Sequence, residues 1–152
     1  MASRPGEFPD GGTECDEEGC IAVDQRAQTT ALGILVVEDD DLLRRSLVTY
    51  LRSLGYAAIG AGSSEEALVI ASRNTLAAVV TDYHLPAMNG IELLRALARP
   101  GRMIPAVLMS GLLDSSILEA ARAMGVPAVL SKPEGLPSLG RTLQNLIGPP
   151  TR

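Results

Sequence analysis

Five short apolar runs alternate along this chain with five longer stretches of helical periodicity, and that alternation limits the fold more than any other feature. The runs predict strands near 33–38, 56–60, 77–82, 104–109 and 127–131. The spacing between them predicts helices near 41–54, 64–73, 90–99, 114–124 and 136–147. Runs such as Gly33-Ile34-Leu35-Val36-Val37 and Ala77-Ala78-Val79-Val80 show no polar alternation. A strand with one wet face would alternate, so a continuous run belongs in a parallel sheet covered by helices on both faces. Strict β/α alternation then reads as an α/β fold with a doubly wound five-stranded parallel sheet. Right-handed crossovers leave few topologies, of which the order 2-1-3-4-5 is the natural one at this size.

Punctuation agrees with these boundaries. Gly55 follows Leu54 as a helix stop, Ser63-Ser64 precede Glu65-Glu66 as a helix start, and Asp114 is placed to cap the helix after it. Pro105 and Pro127 fall at strand starts, where a missing N–H costs least. Pro86 and Asn89-Gly90 read as turns. Gly60-Ala61-Gly62 is too short to be a phosphate-cradling loop.

Charge separates the first thirty residues from the rest of the chain. Residues 1–30 hold seven acidic side chains against two arginines, whereas residues 31–152 balance eleven acidic against eleven basic. The first segment is Gly-, Pro- and acid-rich with few large apolar groups, and is expected to be a disordered leader or linker. The domain is expected over 31–148, with a tail at 149–152. A balanced charge and an aromatic content of 3% argue against a nucleic-acid partner. No apolar run of membrane-spanning length and no signal-peptide pattern occur, which points to a cytoplasmic protein. Cys15 and Cys20, with a single histidine in the chain, cannot complete a four-ligand zinc site and are expected to be reduced thiols.

The strand ends carry the chemistry. Glu38 and Asp39 follow strand one, Asp82 strand three, Ser110 strand four, and Lys132 strand five. In this type of fold ligands bind outside those carboxyl ends. Lys132 is the only lysine among thirteen basic residues, and a compact ammonium suits a small anion. Each piece has a plainer role open to it: Glu38 to Asp41 as a helix start, Asp82 before a turn. Their recurrence at successive strand ends favours one shared site. Three carboxylates so close would repel unless a cation lay between them, and a hard divalent ion, Mg²⁺ for preference, meets that need.

The blocks ILVVEDD, VVTDYHLPAMNG, VLMSG and LSKP, in this order, resemble the receiver domain of two-component response regulators over roughly Leu32 to Ile147. That resemblance implies a flavodoxin-like (βα)5 fold and a phosphoacceptor that is not an enzyme beyond its own phosphorylation and dephosphorylation. It implies Asp82 as phosphoacceptor, and Mg²⁺ held by Asp39, Asp82 and the backbone carbonyl of His84, with Glu38 acting mainly through water. It further implies Ser110 as the switch hydroxyl and Lys132 as the partner of the phosphoryl oxygens. Asp40 is left without a role there and is expected to cap. The expected partner is a histidine kinase or phosphotransfer protein, with self-association open. The source is expected to be a stand-alone regulator, a relay intermediate or, slightly favoured, a receiver from a hybrid kinase. Two positions depart from the family pattern: Val129 stands where an aromatic is common, and Glu134 follows Lys132-Pro133. Rival readings are a receiver-fold binding module without phosphorylation and a haloacid-dehalogenase-like phosphatase; in the latter the nucleophile block comes first, whereas here the acid pair does.

Overall fold

The computed structural model describes residues 33–101 and 103–150. The leader, Cys15, Cys20 and the last two residues lie outside them. Strands β1 (Gly33–Val37), β2 (Ala57–Ala61), β3 (Leu76–Asp82), β4 (Ala106–Ser110) and β5 (Ala128–Ser131) form one sheet. All pairings are parallel and the order is β2-β1-β3-β4-β5, as expected from the alternation. The helices are α1 (Asp41–Ser53), α2 (Ser64–Arg73), α3 (Gly90–Leu97), α4 (Ser115–Met124) and α5 (Leu139–Ile147).

The central strands are buried on both sides, and their residues divide between two cores. Ile34 and Val36 of β1 pack with Leu47 and Leu51 of α1 and Leu139 and Leu143 of α5. Leu35 and Val37 face the other way, against Ala67 of α2 and Leu93, Leu94 and Leu97 of α3. A smaller cluster of Ile91, Leu108, Ile117 and Ala121 seats α4. This is why the strands carry no polar alternation: both faces are removed from water, at about 1.5–3 kcal/mol for each large side chain buried.

Helix starts follow the local code. Asp40 caps α1 by accepting from the Leu43 N–H at 3.1 Å, Ser63 caps α2, and Asp114 caps α4. Asn89-Gly90, read as a turn just ahead of the helix expected near 90–99, is the capped start of that helix, α3. Asn89 and Glu92 form a reciprocal capping box, and a Cβ on Gly90 would lie 2.6 Å from the Asp82 carbonyl oxygen. Only glycine lets α3 begin so close to the end of β3. Helix α3 stops at Leu97 rather than at 99 because Pro100 disfavours helical geometry in the residue before it. The last helix starts later than its periodicity predicts: Leu136–Ser138 form a 3₁₀ turn containing Pro137 before α5 begins. Among the described residues, no helix is long and apolar enough to cross a membrane.

Candidate functional site

Residues Glu38 and Asp39, immediately after β1, and Asp82, the last residue of β3, meet because β1 and β3 are neighbours in register, Val37 opposite Thr81. One carboxylate oxygen from each lies within 4.8 Å of the others. Glu38 is 1% exposed and Asp82 is buried, while Asp39 opens to solvent.

Lys132 reaches this cluster from two strands away. Its backbone N–H donates to the Ser110 carbonyl at 2.9 Å, which extends the β4–β5 ladder by one residue. Its Nζ then lies 3.0 Å from Glu38 Oε1 and 3.2 Å from Asp82 Oδ2. Burial works against the ammonium, yet the Glu38 hydrogen bond and the charges of Asp82 and Glu38 outweigh it and hold the Lys132 pKa above its ordinary value. Burial dominates at Glu38: with the Asp82 charge it raises that pKa, against the opposing pull of Lys132 and the Asp40 N–H. Glu38 Oε2 accepts from the Asp40 N–H at 3.2 Å, so both of its oxygens are engaged. Asp82 Oδ1 accepts from the His84 N–H at 3.3 Å, which sets the His84 backbone beside the carboxylate.

Three carboxylates and one ammonium leave a net charge of about −2 in a small, partly buried space. Hard oxygen donors with that surplus fit a divalent cation such as Mg²⁺. The strand-end cluster expected from the sequence is therefore assembled in space, with Asp40 outside it as a cap.

Ser110 is present at the end of β4 but engaged elsewhere. It is fully buried, and its hydroxyl donates to the Leu112 carbonyl at 2.9 Å while accepting from the Leu112 N–H at 3.1 Å. Leu112 itself is 66% exposed. Val129 packs against the cluster that seats α4, and Tyr83 joins that same cluster from the end of β3. The Tyr83 ring also meets His84 edge-on, with centroids 4.9 Å apart.

Sequence reasoning overlooked Arg44. It donates through Nη1 to the Glu38 carbonyl at 2.9 Å and pairs with Asp41 through Nη2. The spacing of Asp41, Arg44 and Arg45 announces the helix-surface pairs. Nothing local announces the bond to Glu38.

Comparison with known proteins places the chain in a family. The chain matches the response regulator receiver domain family over residues 34–144. It is 35% identical to nodulation protein W of Bradyrhizobium diazoefficiens over 107 residues, covering 70% of this chain and 47% of that protein. It is 33% identical to the sensor histidine kinase RcsC of Salmonella typhi over 110 residues, 72% of this chain and 12% of that protein. The chain thus spans about half or less of the length of these curated relatives. Among solved structures, a response regulator receiver protein from Burkholderia phymatum superposes with a TM-score of 0.67 at 32% identity, covering 77% of this chain and 95% of that one. The chemotaxis protein CheY4 of Vibrio cholerae shares the fold, with a TM-score of 0.70 at 24% identity over 76% of this chain and 98% of that one.

Proposed function

Because the chain belongs to the response regulator receiver family, whose members are phosphoacceptor signalling domains, we propose that Asp82 is its phosphoacceptor and that a histidine kinase or phosphotransfer protein is its donor. The observation that carries this reading is the Lys132 ammonium, which bridges Glu38 and Asp82 at the mouth of the acidic cluster. In the reaction an Asp82 carboxylate oxygen attacks phosphorus and the P–N bond of the donor phosphohistidine breaks. The imidazole nitrogen leaves with the bonding electron pair. Lys132, already held at Asp82, offsets charge on the phosphoryl oxygens as the group arrives, so the chain's contribution is positioning and electrostatics.

The donor set fits Mg²⁺, which Asp39, Asp82 and the His84 backbone carbonyl would hold. Glu38, with both oxygens engaged, would act through water. When bound, the ion neutralises phosphoryl charge. Ser110 would leave Leu112 to meet the phosphoryl group, which passes the event to the loop after β4. On this reading the domain catalyses only its own phosphorylation and dephosphorylation.

Intact mass after incubation with acetyl phosphate and Mg²⁺ tests the assignment. Wild type is expected to gain one phosphoryl mass and Asp82→Asn none. An Asp82→Asn protein that still gains it would overturn the proposal.

A further inference from the structure

We infer that Arg44 is a positioning residue for the acidic loop, and that Gly60 of the edge strand and Gly62 just beyond its end leave the space it occupies. The inference rests on the reading of Glu38, Asp39 and Asp82 as a cation site, and concerns what orients its exposed member. The Glu38 peptide is clamped from several sides. Its N–H donates to the Ala61 carbonyl at 3.1 Å, its carboxylate is held by Lys132 and the Asp40 N–H, and its carbonyl accepts from Arg44 Nη1. That carbonyl belongs to the same planar peptide unit as the Asp39 nitrogen. Asp39 is exposed, so its direction is set mainly by the peptide from which it hangs.

Arg44 reaches the carbonyl only by lying across β2. A Cβ on Gly60 would stand 3.1 Å from Arg44 Cγ and 3.2 Å from Cδ, and a Cβ on Gly62 would stand 3.1 Å from Nη1. A side chain at either position would crowd the arginine and force it to shift. Gly62 is tied to α2 by its N–H, which donates to Glu66 Oε1 at 2.8 Å. The other guanidinium arm pairs with Asp41, which Arg45 holds at 2.8 Å. One side chain therefore ties the end of β1, the start of α1 and the end of β2 together beside the acid cluster.

The sign of the expected effect separates positioning from charge. Removing a cation near a cation site should by Coulomb's law tighten Mg²⁺ binding. Losing an outer support of a ligand loosens it, by about tenfold in comparable metal sites. The test uses wild type, Arg44→Met, which keeps the apolar stem, and Arg44→Lys. The readouts are Mg²⁺ titration followed by amide NMR shifts, and amide exchange of residues 38–41 in metal-free protein, with circular dichroism to verify the fold. Arg44→Met is expected to bind Mg²⁺ about tenfold more weakly and to exchange faster at Asp39 and Asp40, and Arg44→Lys to fall between. Should Arg44→Met fail to fold, Gly62→Val tests the same contact from the opposite side, since a Cβ there would meet Arg44 Nη1 first. Unchanged or tighter Mg²⁺ binding with unchanged exchange at 38–41 would overturn the inference. If wild type binds no Mg²⁺ the cation reading fails, and the metal-free exchange comparison still decides whether Arg44 orients the loop.

Discussion

The two halves of the sheet's carboxyl edge are built differently. On the β1–β3 side, Lys132 is joined to Glu38 across 94 residues of sequence and also to Asp82, in a partly buried network beside Asp39. On the β4–β5 side the Ser110 hydroxyl bonds only two residues along, to Leu112, and the loop above it is exposed. Removing Lys132 from the two carboxylates it bridges would leave buried negative charge uncompensated, a change that costs about 3–5 kcal/mol in buried pairs. Releasing Ser110 from Leu112 forfeits two neutral hydrogen bonds, each worth about 1 kcal/mol net and replaceable by a new acceptor. The first half suits holding a reactive geometry constant, and the second suits changing shape when that geometry acquires a phosphoryl group.

Mutation on each side should give the largest contrast. Asp39→Asn is expected to weaken Mg²⁺ by more than the roughly tenfold that loss of an outer support costs, because it removes a ligand's charge. Ser110→Ala and Asp40→Asn should stay within about twofold in the same titration, because one hydroxyl points into its own loop and asparagine caps as well as aspartate. Equal losses at 39 and 40 would break the distinction between ligand and cap.

A smaller contrast should appear on activation. With beryllofluoride and Mg²⁺, changes in amide exchange are expected to concentrate at residues 83–90 and 110–116. Val129 is small and stiff at χ1, so it offers no large aromatic surface to swing. Changes of equal size across 127–147 would show that β5 and α5 carry the signal after all. Tyr83, which already shares the Val129 cluster, would then be the aromatic to examine.

The smallest expected effect is a pH dependence within the tight half. The folded pKa of Glu38 lies above 4.5 because burial disfavours its anion. The folded state then binds this proton more tightly than the unfolded chain does, so the residue's contribution is complete below about pH 4.5 and is lost as pH rises through the folded value. In metal-free protein, Glu38→Gln should gain stability relative to wild type as pH rises above about 4.5, because glutamine carries no anion to bury. Denaturant unfolding of both proteins measures it. A relative loss over that range would show that pairing with Lys132 outweighs burial.

Most of the fold was legible residue by residue. Unalternating runs identified doubly covered strands, and Asp40, Ser63 and Asp114 marked helix starts through bonds only three residues long. The same runs located Glu38, Asp39, Asp82, Ser110 and Lys132, since the residue after an apolar run in a parallel sheet emerges at the ligand-binding edge. The helix start near 90 was legible, but Asn89-Gly90 read as a turn rather than a cap because both use the same residues. What separates them is the approach of the Asp82 carbonyl to Gly90, which belongs to the packing of α3 on β3.

Sequence by itself determined which groups stand at the strand ends, because run length and register are written in local periodicity. Tertiary structure alone decided which partner each group takes: Lys132 on Glu38 as well as Asp82, Ser110 turned to Leu112, Arg44 laid over Gly60 and Gly62 onto the Glu38 carbonyl. The physical reason is that a hydrogen-bonding side chain settles on whichever acceptor the packed neighbours leave within about 3 Å. Those neighbours come from segments tens of residues away, brought close only by the order of the strands.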